Sequence, residues 1–458
     1  MLSLEWFQRL KAGVLYYREH LLNFSSFILL RVVVIGLFAL TASVFINSAG
    51  KEKYGLVSLV FIFYNFLNLF DLGFGYALNY RITRAVARGR PSEATTRLIR
   101  KGLPFYLAVS CSVTVVLFAL SGTFSRMLLE SDEYRVLIQF ISLSVGILMI
   151  DSIFLGILNA FNKIYLSNFS RFIFDLARSL AMLAGLLFDD ILLMVLIFIN
   201  IGSLLKLAFD VYVSMRLLGQ GGWLRPLLSW KDLLLNLRFG LPMMITTSIS
   251  LMIHNFDKFF VAGRFSLEEL AYYSIAFDVN SKAWLFVYAI NGSLYTLLIR
   301  RGSRGESQSL LVLISFASVI LLAIGYYIPI TLLAHPLLDL WISTDFADNA
   351  YVLVGWFAVA SVLYLFQSVL HNLLTTARRI TLLGVVNFFA LILLTTLVLV
   401  LAEPYGMAGV AGSYSVMYLF MFVALGIGAY RAGLLRFDLQ EILGGKDSPA
   451  RGAIQEKS

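Results

Sequence analysis

Long runs of apolar residues recur along the whole chain and are separated by short polar segments. A hydrocarbon core about 30 Å thick needs about 20 apolar residues per helix. The runs are continuous rather than alternating in polarity, which predicts helices and excludes a transmembrane β-barrel. The pattern therefore predicts an all-α polytopic membrane protein with about twelve transmembrane helices. The predicted spans are Phe24–Ile46, Gly55–Tyr80, Leu103–Ser121, Val136–Leu158, Ile164–Phe188, Ile191–Leu218, Phe239–Ala262, Tyr272–Ile299, Leu310–Ala334, Asn349–Leu373, Ile380–Ala402 and Met407–Tyr430.

One polar interruption decides whether the number of spans is even. The stretch from Ile164 to Leu218 is too long for one span, and Asp189 and Asp190 alone interrupt it. Two adjacent carboxylates are costly at the bilayer centre. They therefore predict a tight external turn between the fifth and sixth helices, so that both termini lie on one side.

Composition and loop length limit the function. Charged residues make up 14% of the chain, whereas soluble domains contain roughly 25%. The external loops are all short, and the longest internal connections contain no glycine-rich Walker-type loop that would bind a nucleotide. A membrane glycan polymerase or acyltransferase needs a water-accessible catalytic loop, so the sequence predicts a protein that is not an enzyme.

Charge is distributed unevenly between the two sides of the predicted membrane. The net charge is +9, and most Lys and Arg residues lie in the loops on the side of the N-terminus. This asymmetry predicts that both termini are cytoplasmic and that the protein lies in the cytoplasmic (inner) membrane. Basic loops of this kind face anionic membrane lipids, and nucleic acid is not expected as a partner. The other side carries Lys51, Lys53, Arg126, Arg135 and Arg264.

The two ends of the chain lie outside the predicted spans. Residues 1–23 place Arg9, Lys11 and Arg18 beside apolar residues, which is typical of an amphipathic helix lying at the membrane interface. Residues 431–458 form a polar cytoplasmic tail that is expected to be disordered.

A weak internal repeat divides the chain into two halves. Sliding the sequence by 216 residues aligns the segment from Gly50 to Val60 with the segment from Ser266 to Ala276, and the same offset aligns the predicted starts of the last two helices of each half. Each half holds six helices, so the halves are expected to be parallel repeats, a common transporter design. The expected domains are residues 24–218 and 239–430, joined by a cytoplasmic linker, 219–238.

Two stretches carry a resemblance to a known family. They are EKYGLVSLVFIFYNFLNLFDLGFGYAL and FGLPMMITTSISLMIHNFDKFFVAGRFSLEELAYYSIAF. The first has an acidic-x-Tyr-Gly beginning and an Asp71-Leu72-Gly73-x-Gly75 end. Together they resemble the polysaccharide flippases of the O-antigen and capsule type, which belong to the multidrug/oligosaccharidyl-lipid/polysaccharide exporter superfamily.

The resemblance implies a fold and an activity. It implies the fold of the multidrug and toxin extruders, with two parallel six-helix bundles. It also implies that the protein flips a polyprenyl-pyrophosphate oligosaccharide to the outer leaflet, without covalent chemistry or a cofactor. The implied partners are the lipid-linked glycan, membrane lipids and other polysaccharide-assembly proteins. Lipid II flippases of the superfamily usually carry two further helices, which this chain lacks.

Ionisable residues inside the predicted spans are candidate functional residues, because they are costly there and face a partner or a water-filled cavity. Several are spaced to share one face of a helix. Such pairs also serve as local ion pairs that reduce the cost of insertion, and the sequence leaves both interpretations open. Asp151, Asp175, Asp210 and Asp278 are the candidates to bind a coupling ion, either H⁺ or Na⁺, and the sequence does not choose among them. The spaced pairs are Asp175 with Arg178, Lys206 with Asp210, and Asp278 with Lys282.

Two helices carry polar stripes that suit a glycan, which needs hydroxyl and amide partners. The alternative role of such stripes is hydrogen bonding between helices of the bundle. His254 additionally suits proton transfer. The stripe on the second helix is Asn65, Asn68 and Asp71, and the stripe on the seventh is His254, Asp257 and Lys258.

Arg31 lies about two turns into the first span and has no acidic residue three or four positions away. Its partner is therefore expected on another helix or in the substrate. A guanidinium suits bidentate contact with phosphate oxygens, so Arg31 is a candidate pyrophosphate ligand. The alternative is that its long side chain reaches the inner headgroups.

A cation-coupled multidrug extruder of the same fold is the alternative function. The cavity of such an extruder is expected to be net acidic. Asp71, Asp151, Asp175, Asp210, Asp257 and Asp278 are matched by a comparable set of buried cations. The charges in the spans therefore do not decide between the two functions.

Overall fold

The computed structural model describes residues 2–65, 81–83, 93–129, 131–132, 134–219, 227, 248–284, 309–377 and 379–435. The regular secondary structure of these residues is entirely helical. A π-helical turn, Ala323–Tyr327, lies between two of the helices. The helices are α1 (Leu2–Ala49), α2 (Lys51–Asn65), α3 (Glu93–Ala119), α4 (Ser121–Leu129), α5 (Arg135–Ala160), α6 (Ile164–Gly185), α7 (Ile191–Leu218), α8 (248–264), α9 (Leu267–Lys282), α10 (Ser309–Leu322), α11 (Ile328–Leu332), α12 (Ala334–Trp341), α13 (Thr344–Thr376) and α14 (Ile380–Arg431).

Seven stretches among the described residues are long and apolar enough to cross a membrane. The chain is thus a multi-pass membrane protein, as predicted. The predicted second, seventh and eighth spans continue into residues outside the described ranges, so the count of twelve stays a prediction. The seven stretches are Ser25–Ala49, Thr95–Ala119, Arg135–Ala160, Ile191–Leu218, Leu311–Leu332, Thr344–Thr376 and Ile380–Arg431.

The predicted turn at Asp189 and Asp190 is present. Helix α6 ends at Gly185 and α7 begins at Ile191. Asp190 caps α7, because its Oδ1 accepts a hydrogen bond from the backbone N–H of Leu193 at 3.2 Å. A carboxylate satisfies a free N–H group at a helix N-terminus and interacts favourably with the helix dipole. The two aspartates therefore separate two helices.

Helix α14 contains the last two predicted spans. It is interrupted at Gly406, whose φ of 57° and ψ of −142° are not helical and favour glycine. Gly428 lies against the side chain of Leu382, so the two arms run side by side in opposite directions. The element is therefore a helical hairpin.

Contacts divide the chain into two compact units, Met1–Ala271 and Tyr272–Ser458. In the first unit, α6 packs on α1 and α7, and α5 packs on α3 and α7. In the second unit, α13 packs on α14, α12 and α10. The predicted division into six-helix bundles at 24–218 and 239–430 stays a prediction, and most of its linker lies outside the described residues.

Two segments aligned by the internal repeat contact each other inside the first unit. Lys51 Nζ lies 2.9 Å from Glu268 Oε1. Gly55 packs so closely on the carbonyl of Leu267 that a Cβ atom there would collide with it. The beginning of α9 is thus held against the beginning of α2.

Sequence and structure differ at some helix ends. Helix α3 begins at Glu93, ahead of the predicted Leu103, because a helix continues into a polar segment that hydropathy does not mark.

Helix α1 runs without a break from Leu2 to Ala49, so residues 2–23 are helical as expected. Their location at the membrane interface stays a prediction. The predicted tail, 431–458, lies outside the described residues beyond Leu435, and its disorder also stays a prediction.

Candidate functional site

Each of the three ion pairs predicted within one helix is formed. Asp175 Oδ1 lies 3.7 Å from Arg178 Nη1. Lys206 Nζ lies 3.1 Å from Asp210 Oδ2, and Lys282 Nζ lies 3.4 Å from Asp278 Oδ1. The first two pairs also contact a charged residue of another helix, and two clusters result.

The first of these is the arginine cluster, which consists of Arg31, Arg171, Asp175 and Arg178. Arg31 Nη1 lies 3.2 Å from Asp175 Oδ2, so the partner expected for Arg31 is on another helix. Asp175 thus bridges guanidinium groups from α1 and α6 through its two oxygens. Arg171 lines the same cleft. Two guanidinium groups therefore share one carboxylate, and a third lies beside it in the cleft.

Packing of α1 on α6 positions the arginine cluster. Asn168 Nδ2 donates a hydrogen bond to Ser26 Oγ at 3.2 Å, which ties the two helices together one to two turns from Asp175. The guanidinium carbon of Arg178 lies 3.8 Å from the ring centroid of Phe61 on α2. This cation–π contact fixes the guanidinium plane against an aromatic face.

The arginine cluster is open to its surroundings. The side chains of Arg31 and Arg178 are 33% and 31% exposed, and Asp175 is 18% exposed. Arg31, Arg171 and Asp175 line a cleft of about 220 Å³ that lies between α1 and α6 and is also lined by Phe27 and Phe172. With its groups in their ordinary charge states, the cluster carries a net charge of about +2. Such a cleft can bind an anion through charge-assisted hydrogen bonds.

The second cluster is the aspartate–lysine cluster, which consists of Asp151, Ser170, Lys206 and Asp210. Lys206 Nζ donates to Asp151 Oδ2 and to Asp210 Oδ2, and Ser170 Oγ donates to Asp210 Oδ2 at 2.6 Å. Helices α5, α6 and α7 each contribute to it. Lys206 is 5% exposed, and Asp210 is fully buried. This cluster is therefore sealed from solvent, unlike the arginine cluster.

The other predicted site residues belong to neither cluster or lie outside the described residues. His254 Nδ1 donates to the Ser250 carbonyl at 2.7 Å, while Asp257 and Lys258 on the same helix are buried. Asn68 and Asp71 lie outside the described residues, as does the side chain of Asn65. Their role in binding a glycan stays a prediction.

Two further features bear on ligands. A larger cleft of about 490 Å³ between α2, α5 and α7 is lined by aliphatic residues such as Leu56, Ile141 and Leu196, and it offers no charged partner among the described residues. Nor do the described ranges contain a group of three or more His, Cys, Asp or Glu side chains that could hold a metal ion. The arginine cluster is therefore the candidate site for an anionic ligand.

Comparison with known proteins identifies the family. The sequence profile of the polysaccharide biosynthesis protein family matches residues 21–300, which is more than half of the chain. The chain belongs to this family. Both charge clusters of this polysaccharide biosynthesis family member lie inside the matched residues.

Individual relatives agree with the family. A candidate O-antigen transporter of Shigella flexneri is 19% identical over 399 residues, covering 80% of this chain and 87% of the relative. An inward-facing multidrug resistance transporter of the MATE family superposes with a TM-score of 0.74 at 13% identity, covering 89% of this chain and 98% of its own. The lipid II flippase MurJ, in an inward closed conformation, gives 0.70 at 14% identity and covers 91% and 89%.

These comparisons confirm several predictions. The polysaccharide biosynthesis family member has the MATE-like helical fold, and the relatives and solved structures that it resembles are transporters and flippases rather than enzymes. The resemblance carried by the two quoted stretches is confirmed at the level of the family.

Arg171 is a candidate residue that the sequence analysis missed. It lies inside the predicted fifth span and four residues before Asp175, a spacing that places two side chains on one helix face. That spacing is the same signal that predicted the three ion pairs. If the spacing rule had been applied in both directions from Asp175, it would have identified Arg171 as well as Arg178 as cations on the same helix face.

Proposed function

We propose that this transporter flips a polyprenyl-pyrophosphate oligosaccharide from the cytoplasmic to the outer leaflet of the inner membrane, and that the arginine cluster receives the pyrophosphate. The observation that carries this proposal is the contact of Arg31 and Arg178 with one carboxylate, Asp175, beside an open cleft that Arg171 also lines. Guanidinium groups present planar forks that match phosphate oxygens. The family and the candidate O-antigen transporter support the polysaccharide context.

The position of the cluster along α6 suits this role. Helix α6 has 22 residues, and Asp175 is eleven residues beyond its first residue, Ile164. At 1.5 Å per residue, Asp175 is about 16 Å along the helix and Arg171 about 10 Å. In the proposed orientation both termini and the start of α6 are cytoplasmic. Arg171 then lies between the inner headgroups and the bilayer centre, where a substrate from the inner leaflet arrives, and Asp175 lies near the centre.

The proposed transport cycle uses alternating access by the two predicted six-helix bundles. Cysteines introduced at Asp190 and Asp348, with Cys111 replaced, test the orientation. We expect membrane-impermeant reagents to label both positions from outside the cell. Labelling from the cytoplasm alone would contradict the proposed topology.

A multidrug extruder remains the alternative, since transporters of that function share the fold. An organic cation would be repelled by a cleft that two guanidinium groups and one carboxylate line, with Arg178 paired to the same carboxylate. Binding assays with the purified protein separate the two functions. We expect saturable binding of a lipid-pyrophosphate glycan and none of cationic dyes, and the reverse result would favour the extruder.

Substitution of Arg31 tests the role of the arginine cluster. In cells lacking their own copy of the gene, we expect Arg31→Gln to reach normal abundance in the membrane but to lose most polysaccharide export. Arg31→Lys should be intermediate, because it keeps the charge but loses the planar fork. Surface polysaccharide relative to membrane protein is the measurement.

Arg126→Gln is the matched control for this experiment. Arg126 forms an exposed ion pair with Asp132, at 3.5 Å, away from the arginine cluster. Export should remain normal in this variant. Normal export by a well-expressed Arg31→Gln protein would remove Arg31 from the proposed binding site.

A further inference from the structure

The aspartate–lysine cluster contains one carboxylate more than it has cations. Asp151 and Asp210 are 2% and 0% exposed, and Lys206 lies between them. If all three groups were ionised, a net charge of −1 would be sealed inside the helices. Buried charges are costly unless they are paired and hydrogen-bonded.

Two buried carboxylate oxygens of the cluster accept no hydrogen bond from the described residues. Asp151 Oδ1 and Asp210 Oδ1 are both buried, and neither has a hydrogen-bond partner among the described residues. The two Oδ2 atoms, in contrast, accept all the hydrogen bonds from Lys206 and Ser170. A ligand that neutralises one negative charge at an Oδ1 atom would satisfy the cluster.

Among the described residues, the helices packed around these carboxylates contribute mainly apolar groups. Asp151 and Asp210 belong to α5 and α7, and Ile150, Leu207 and Val211 of these helices pack against an apolar group of buried residues. Helix α3 contributes Leu103 and the phenol of Tyr106 to that group. On α6 the facing groups are Ser170 and, beyond Asp210, Arg171, which interacts electrostatically with Asp210 as well as with Asp175 and Arg31.

We propose that Asp151 and Asp210 together form a proton-binding site that holds one exchangeable proton, and that its occupancy is linked to anion binding at the arginine cluster. The proton comes from water and binds an Oδ1 atom. No other bond forms, and the proton returns to water on release. The linkage to an anion rests on the proposed function, whereas the proton site does not.

The arrangement of the cluster favours a proton over a metal cation. The ammonium group of Lys206 contacts both carboxylates and would repel a metal ion placed between them. A metal ion such as Ca²⁺ takes six to eight oxygen ligands. Besides the carboxylates themselves, the described residues supply one further oxygen in contact with them, the hydroxyl of Ser170. A proton needs a single oxygen and fits without displacing Lys206.

Helix α6 connects the proton site to the arginine cluster. Ser170 donates to Asp210 in the sealed cluster, and the next residue, Arg171, lines the open cleft. An anion in the cleft offsets the positive charge of Arg171 and so favours proton uptake by the carboxylates. By reciprocity, protonation of the carboxylates strengthens anion binding.

Infrared spectroscopy of the purified protein tests the proton site without any substrate. We expect a protonated carboxyl band at neutral pH that disappears as the pH rises. Asp151→Asn and Asp210→Asn should each remove the band and should still fold, because an amide has the shape of a neutral carboxyl group. In Asp348→Asn, which changes an exposed carboxylate paired with His335, the band should persist.

Absence of this band from the wild-type protein would contradict the proposed proton site. So would a band that persists in both Asp151→Asn and Asp210→Asn. The wild-type measurement alone keeps the test decisive if a variant fails to fold.

Titration with inorganic pyrophosphate tests the linkage. We expect affinity to rise by about fivefold from pH 8 to pH 6 beyond the change seen in Asp210→Asn, a coupling in the usual range. Asp348→Asn should behave as wild type, and the pH effect of pyrophosphate's own ionisation cancels in these comparisons. Equal pH dependence in the wild type and in Asp210→Asn would overturn the linkage. Absence of pyrophosphate binding at every pH would instead contradict the proposed function and leave the infrared result standing.

Discussion

The arginine cluster and the aspartate–lysine cluster share α6 but differ in charge and exposure. The arginine cluster has three cations for one carboxylate, and the side chains of Arg31 and Arg178 are about one-third exposed. The aspartate–lysine cluster has two carboxylates for one cation, and these groups are almost completely buried. Excess charge at an open cleft can be balanced by a ligand from outside, whereas excess charge in a sealed site must be balanced inside.

This difference separates two kinds of energetic consequence. Exposed ion pairs contribute little to stability, because water already solvates the charges. Breaking a buried pair leaves an uncompensated charge and destabilises a protein strongly. Substitutions that leave an unpaired charge in the sealed cluster should therefore affect folding first, and substitutions at the cleft should affect binding first.

The largest effect is expected for Lys206→Met, which leaves two buried carboxylates without their cation. The free energy of unfolding should fall by about 3–5 kcal/mol, as measured by denaturant unfolding of the purified protein in detergent. Lys282→Met is the control, because the pair of Lys282 with Asp278 is 30% exposed and should contribute at most about 1 kcal/mol. Similar losses in the two variants would mean that burial does not distinguish these sites.

An intermediate effect is expected for Arg171→Gln at the open cleft. Loss of one charge-assisted contact should weaken pyrophosphate binding by about tenfold and leave the unfolding midpoint almost unchanged. Isothermal titration calorimetry measures the affinity. Arg216→Gln is the control, since Arg216 is exposed and stacks on Tyr212 at 5.3 Å from the ring centroid. An unchanged affinity in Arg171→Gln would exclude Arg171 from anion binding.

The smallest effect is expected for Phe61→Leu, which removes the aromatic face under Arg178. A cation–π contact at an exposed site contributes about 0.5–1 kcal/mol, so pyrophosphate affinity should fall by about two- to fivefold. The same calorimetric titration applies. A tenfold or greater loss would show that Phe61 does more than orient Arg178.

The sequence predicted contacts within a helix better than contacts between helices. The pairs of Asp175 with Arg178 and of Lys206 with Asp210 follow from helical spacing alone. The contact of Arg31 with Asp175 joins residues 144 positions apart, and that of Lys206 with Asp151 joins residues 55 positions apart. Both depend on how each helix is rotated against its neighbour, which hydropathy does not specify.

Helix positions were predictable where apolar runs end at polar turns. The predicted sixth span and α7 have the same bounds, Ile191–Leu218, because Asp190 caps the helix and Gly219 ends it. The short helices α4 and α12 were not predicted, since Ser121–Leu129 and Ala334–Trp341 are too short to produce a membrane-length apolar run.

The hairpin form of α14 has a consequence for biosynthesis. Its arms reverse direction around Gly406 and pack along each other as far as Leu382 and Gly428. With so short a connection, the second arm has no separate route into the bilayer once the first has entered. We therefore expect the translocation machinery to insert the arms as a single unit, with Glu403 and Tyr405 carried across at the leading tip.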